Sequence, residues 1–211
     1  MTITTRTGKG APLTYAEMDA NLEQFDTKTK DGWFDVPMEI SVQAGAADAP
    51  TWTEFEDGFG LYAFSPDSLT SARADIHLNH DYKPATMIYP HIHWTTNLNA
   101  AGTVRFGVTW KYARRDDSPS GIIRFTSPQT IYIEHTVALG EVGNHQVSEP
   151  TAGNGIYHAD FEVDGMILCK FFRDGEHAND TFPGQVFFIK ADAHCETATM
   201  ATPLRVPPFR T

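Results

Sequence analysis

The run from Val104 to Tyr112 constrains the fold more than any other stretch. Val104, Phe106, Val108, Trp110 and Tyr112 are apolar at every second position, with Arg105, Thr109 and Lys111 between them. Successive side chains point to opposite faces of a strand, so a period of two predicts a β-strand with one buried and one solvated face. Strand-like segments recur along the chain. They fall at 33–42, 51–55, 60–65, 72–80, 86–95, 103–114, 129–139, 156–163, 166–173 and 185–197. Clusters of Gly, Pro, Asp and Asn separate them, among them Asp57-Gly58, Ser65-Pro66-Asp67, Gly153-Asn154-Gly155 and Asp174-Gly175. Val163-Asp164-Gly165-Met166 reads as a tight hairpin. Short strands in this number, with almost no helical period after residue 31, predict an all-β fold, a jelly-roll-like antiparallel β-sandwich. The long connections 116–128 and 140–155 suit Greek-key or jelly-roll crossings, and the loops 116–121 and 140–155 are expected to face outward, in reach of a host surface glycan.

Two segments do not fit that pattern. Residues 1–31 read as an arm and 32–211 as the sandwich. Within the arm, residues 4–12 are small and polar and read as extended. Thr14 is then placed to cap a short helix over 15–25, with Glu17 at the capping-box spacing. Tyr15, Met18, Leu22 and Phe25 form one apolar stripe on that helix. So short a helix needs a surface to lie on, whether its own domain, another copy or a larger assembly. At the other end, Pro203, Pro207 and Pro208 predict an extended C-terminal arm over 201–211.

A formal charge of −11 argues against a nucleic-acid partner, which would need a basic face. The sequence has no apolar run of membrane-spanning length and no signal-peptide core at its start, so membrane insertion is not expected and synthesis in a cytoplasm is. Cys169 and Cys195 are the only cysteines, each in an apolar strand-like stretch, and read as buried free thiols.

The candidate chemistry centres on Tyr89-Pro90-His91-Ile92-His93-Trp94. On a strand, Tyr89, His91 and His93 share one face, while Ile88, Ile92 and Trp94 share the core face. Two imidazoles at that spacing suit one metal ion, with His77, His80, Asp81 or His194 as further ligands. His194 can contribute only if its strand neighbours theirs. A jelly roll with His-x-His resembles the cupins, but their pattern wants a glutamate soon after the second histidine. Here Trp94-Thr95-Thr96-Asn97 follows. Alternatively, three chains meeting on an axis would pool six imidazoles around a transition metal, or the pair packs in an interface without metal. Asp192, His194 and Glu196 alternate with Ala191, Ala193 and Cys195, which places two carboxylates beside one histidine. Glu54, Glu56 and Asp57 read as a solvated loop, and Asp160, Glu162 and Asp164 as an exposed strand face. No nucleophile motif stands out.

Two stretches carry a resemblance. Residues 6–22, with Gly8-Lys9-Gly10, Pro12-Leu13-Thr14, Glu17, Asp19 and Asn21, are similar to an N-terminal stretch of many phage tail-fibre and virion-associated proteins (GKGxPLTxxExDxN). His80-Asp81-Tyr82 and Tyr89–Trp94, with the later 168–174 segment, resemble an uncharacterised phage family with "PHDYxxG…YPHxHW" and "CRxFRD" patterns. Asn79 stands where that family commonly has proline, and Pro84-Ala85 where it commonly has glycine. The resemblance implies a virion protein, a trimeric β-sandwich serving as a fibre, spike, collar or decoration module, and supplies no catalytic residues.

The expectation is therefore a non-enzymatic homotrimer in a phage particle, docked through Tyr15, Met18, Leu22 and Phe25 to other virion proteins. No cofactor is expected unless His91 and His93 hold a transition metal, shared at a subunit axis. The competing expectations are a cupin-like metal enzyme and a glycan-binding module. In the latter Trp52 and Trp110 would be contacts, although their strand positions favour core packing.

Overall fold

The computed structural model describes residues 4–30, 32–115 and 124–197, with the side chains of 6 and 24–30 outside the description. The expected C-terminal arm and the outward loop at 116–121 lie outside the described residues. Among the described residues, ten strands follow two N-terminal helices, α1 (Arg6–Lys9) and α2 (Tyr15–Lys30). They are β1 (Gly32–Met38), β2 (Thr51–Glu56), β3 (Phe59–Phe64), β4 (Leu69–His77), β5 (Tyr89–Thr95), β6 (Gly102–Ala113), β7 (Gln129–Val137), β8 (Gln146–Ser148), β9 (Met166–Asp174) and β10 (Val186–Thr197). One sheet runs β2-β3-β10-β5-β8, with β1 also paired to β10, and the other runs β4-β9-β6-β7. All these pairings are antiparallel. The chain is an all-β sandwich of jelly-roll-like character.

The core lies between the sheets. Val104, Phe106, Val108, Trp110 and Tyr112 all point into it, as their spacing predicts. They meet Ile92 and Trp94 of β5 and Ala191, Ala193 and Cys195 of β10. Each fully buried aliphatic or aromatic side chain contributes about 1.5–3 kcal/mol through water exclusion. Gly107, on the opposite face of β6, leaves room for the Phe172 ring, which a Cβ there would meet at 2.1 Å. Cys169 and Cys195 are free and buried on opposite sheets.

β10 organises the first sheet. It is long enough for β3 to pair its first residues, Val186–Phe188, while β1 pairs along Ala191–Thr197 on the same edge. β5 takes the other edge. Opposite β5, Phe188 faces Trp94 and Lys190 faces His93, so Ile189 is an extra residue, a β-bulge. The bulge reverses which positions face the core. Phe188 points inward before it, and Ala191, Ala193 and Cys195 point inward after it. Lys190, Asp192 and His194 therefore emerge on the outer face, beside His91 and His93.

Several local expectations change. Residues 156–163 form no strand and only one bridge, Ile88 to Ile156. The Asp164-Gly165 turn exists, with Asp164 at φ 64°, but its backbone bonds to Leu78 and does not join two strands. Asp160, Glu162 and Asp164 accordingly lie on turns rather than on a strand face. The two-residue hairpin turn is instead Asp57-Gly58, at φ 50° and 82°, between β2 and β3. This puts Glu54 and Glu56 in a strand rather than a loop. Trp52 is 64% exposed, packed edge-on against Tyr62 at the sheet's margin, whereas Trp110 is core. The 140–155 connection contains β8, which pairs with β5 and caps that edge of the sheet.

The arm folds on itself. Glu17 N–H donates to Thr14 Oγ1 (3.2 Å), and Thr14 N–H donates to Glu17 Oε2 (2.7 Å), completing the capping box. Lys9 pairs with the same carboxylate, and Asn21 exchanges two hydrogen bonds with the backbone of Thr4. Lys9 and Thr14 hold the Glu17 carboxyl down at about 2. Residues 6–9, expected to be extended, form the single turn α1, and α2 runs five residues beyond the predicted end.

Candidate functional site

The sheet register gathers the histidines that the sequence separates. Asp192 stands opposite His91, Lys190 opposite His93, and His194 opposite Tyr89. On the far side of β10, Asp35 of β1 stands opposite His194. The segment around β8 closes the cluster, with His145 just before the strand and Glu149 just after it. Four histidines, three carboxylates and one lysine thus share the outer face and edge of one sheet.

His91 is the buried centre, only 3% exposed. The His194 ring lies over it at 4.1 Å between centroids, and the His93 ring stands edge-on at 5.0 Å. Asp192, also buried, directs Oδ2 toward both imidazoles on β5: 3.4 Å to His93 Nε2 and 3.9 Å to His91 Nε2. Its Oδ1 pairs with Lys190 Nζ at 2.7 Å. His91 Nδ1 has no hydrogen-bond partner among the described residues.

The outer groups fix orientation. His93 Nδ1 lies 2.8 Å from His145 Nε2, with the two rings stacked. His194 lies between two carboxylates, Nε2 at 3.0 Å from Asp35 and Nδ1 at 2.9 Å from Glu149. Burial, then repulsion from His194 and His93, pushes the His91 imidazole below its ordinary pKa. Burial and His145 do the same to His93. Both rings are therefore favoured as neutral bases with a lone pair to offer.

Some expected contributors lie elsewhere. His77 and His80 approach Asp164, at 3.4 and 3.6 Å. Of the pair expected on a subunit axis, His91 is covered within its own chain, whereas His93 keeps part of its ring exposed. The carboxylate missing after His93 arrives from across the strand pair, as Asp192. Sequence reasoning missed Asp35, His145, Glu149 and Lys190. The alternation of 191–196 placed Asp192, His194 and Glu196 on one face; Asp192 and His194 lie beside the pair, while Glu196 pairs with Lys83 at 3.2 Å.

Two hollows flank this region. One of about 380 Å³ is lined by Trp33, Tyr89, Glu149, Pro150, Ala152 and His194. Another, of about 630 Å³, lies between the free edge of β7 and the loop through Glu149, Pro150 and Gly153-Asn154-Gly155.

No protein-family profile and no curated protein sequence matches the chain. Among solved structures it is similar to the carbohydrate-binding and glycoside-hydrolase modules of an endo-1,4-beta-D-xylanase 10B from Clostridium thermocellum, complexed with xylohexaose. That match has 13% identity and a TM-score of 0.34, and covers 78% of this chain but 26% of that one. TmCBM61, solved with beta-1,4-galactotriose, matches at 12% identity and a TM-score of 0.30, over 82% of this chain and 93% of that one. A protein of unknown function from Shewanella oneidensis MR-1 matches at 9% identity and a TM-score of 0.25, over 93% and 99%. The chain spans about a quarter of the solved xylanase chain.

Proposed function

We propose that the protein is a non-enzymatic structural module of a phage particle, a homotrimer attached to other virion proteins through its N-terminal arm. The arm is the observation that carries this reading. Lys9, Thr14, Glu17 and Asn21, the residues of the phage-like motif, are the ones that bond the arm to itself. With those polar groups satisfied locally, the apolar stripe is left over. Tyr15 and Leu22 are 84% and 66% exposed, and Met18 is exposed as well. Phe25, the fourth member of the stripe, is outside the described side chains. Exposed large apolar side chains on one helix face suit burial against a partner. Light scattering on the full chain tests the trimer: three times the 23.4 kDa chain mass is expected, and a folded monomer refutes it. Tyr15→Ser with Leu22→Ser is expected to release the protein from particles that retain the wild type, as detected by antibody. Retention of the variant refutes the docking role.

A second reading, a glycan-binding module, is supported by exposed Trp33, which packs edge-on with Tyr89 at 5.7 Å beside Glu149 and His194. Aromatic faces next to polar groups are suited to sugar rings. A glycan array with wild type and Trp33→Ala tests it, binding that survives the substitution being the refuting result.

A further inference from the structure

We propose that His91, His93 and Asp192 form a site for one divalent transition-metal ion of the zinc type, complete within a single chain. The proposal stands independently of the virion role. Two imidazoles and a carboxylate are ligands that such ions accept, with remaining positions open to water or a further donor.

The geometry comes from the sheet. His91 and His93 are two residues apart on β5, so they share a face, and Asp192 is the cross-strand partner of His91. The carboxylate oxygen lies 3.4 and 3.9 Å from the two Nε2 atoms. Ligand atoms about 2.0–2.2 Å from a tetrahedral ion lie roughly 3.3–3.6 Å from one another, a range that the His93–Asp192 distance meets and the His91–Asp192 distance approaches. One ligand atom from each of the three residues falls within 4.8 Å of the other two.

His91 is the most buried member of the three. It is buried to 3% exposure, yet Nδ1 has no partner and Nε2 stands beyond hydrogen-bond reach of Asp192. Buried imidazoles are ordinarily satisfied. An ion between Asp192 Oδ2 and the two Nε2 atoms gives His91 Nε2 the contact that Asp192 stands too far away to make directly, while Nδ1, on another side of the ring, is not reached by it.

The surrounding groups prepare the ligands. A His93 tautomer that donates Nδ1–H to His145 Nε2 presents the Nε2 lone pair to the site. Lys190 holds Asp192 Oδ1 and leaves Oδ2 available. Asp35, Glu149 and His194 lie outside the three ligands, and the carboxylates outnumber the lysine, so the field favours a cation. Asp35, His91 and His194 make a second possible triad. There Asp35 is exposed, the His194 ring lies over the His91 ring at 4.1 Å, and His194 Nδ1 is taken by Glu149, outside that triad.

The test uses the full chain, stripped with a chelator and titrated with zinc by calorimetry and with cobalt by visible absorption. One ion per chain is expected, with the intense visible band of a low-coordinate cobalt site. His93→Gln and Asp192→Asn are each expected to weaken binding by at least about 100-fold, since changes to outer-shell partners alone cost 10–100-fold. His77→Gln, on the other sheet, is expected to leave it unchanged. His91→Gln sits in a buried position and can fail by unfolding. The other two variants, checked by thermal melting, therefore decide the matter. The proposal is overturned by an absence of saturable binding at millimolar metal, or by full affinity in His93→Gln and Asp192→Asn. One ion per three chains also overturns it, in favour of a site shared on an axis.

Discussion

Replacing Arg173 with methionine should remove a large share of the protein's stability. Arg173 and Asp180 are both fully buried side chains. The guanidinium grips the carboxylate with two bonds, Nε to Oδ2 at 2.9 Å and Nη2 to Oδ1 at 2.7 Å. Its remaining N–H groups donate to the carbonyls of Phe182 (2.6 Å) and Gly184 (2.5 Å), with Phe64 O more distant at 3.5 Å. Asp180 Oδ2 also accepts the Arg105 backbone N–H at 3.0 Å. The Arg173–Asp180 pair thus ties β9, the 175–185 loop and β6 together. Methionine fills similar volume but leaves a buried carboxylate facing a thioether and strands two carbonyls. Removing one partner of a buried ion pair costs about 3–5 kcal/mol. That is from about a fifth to nearly all of the 5–15 kcal/mol available to an ordinary domain. For a chain of this size, a kcal/mol moves the melting temperature by about 2–4 °C, so a fall of about 6–20 °C is expected. Lysine should rescue little, because it cannot reproduce the planar fork. Urea denaturation and thermal melting at neutral pH measure both. A loss under about 1 kcal/mol in Arg173→Met would refute the reasoning.

Other perturbations follow from the same structure. Ser148→Ala orphans the Trp94 indole N–H, which donates to Ser148 Oγ at 2.8 Å, and should cost about 1–3 kcal/mol in urea denaturation. Gly107→Ala forces a Cβ into the Phe172 ring and should cost about 1–3 kcal/mol, a neutral result showing that the ring can move aside. His91, His93 and His135 have folded pKa values below the ordinary 6.5, each chiefly through burial. Below 6.5 the unfolded chain takes up more protons than the folded one. Their contribution is therefore complete above 6.5 and fades as pH falls below it. Replacing the three with glutamine should flatten the decline in melting temperature between about pH 7.5 and pH 5.5, and an unchanged slope would assign the decline to other groups. Burial pushes the Cys195 thiol up to about 12 and the Cys169 thiol higher, so neither should react with a thiol reagent until denaturant is added. Labelling of the native protein within minutes would contradict this.

Elements with their own periodicity were legible from the sequence. The apolar alternation of Val104–Tyr112 placed β6 and its buried face, and Thr14 with Glu17 marked the start of α2, because both signals are local. Residues 156–163 carry strand-like composition, yet among the described residues their pairing stops at the Ile88–Ile156 bridge, and Phe161 and Val163 are buried from an irregular segment. Gln146–Ser148 was missed for the opposite reason, since three residues have no period and only the exposed edge of β5 makes them a strand. Trp52 misled because a tryptophan in a strand is ordinarily core, and only sheet order shows that β2 is an edge.

The histidine cluster divides in the same way. The sequence by itself determined that His91 and His93 share a face, that Asp192 and His194 share another, and that an apolar stripe runs along the arm. Only the tertiary structure decided that the two faces are one. Their union requires β5 and β10 to be neighbours in a specific register, and it requires the Ile189 bulge to turn Asp192 outward while Phe188 stays in the core. Strand pairing joins residues about a hundred positions apart through backbone hydrogen bonds that are available to almost any side chain, so the pairing leaves no local mark in the sequence.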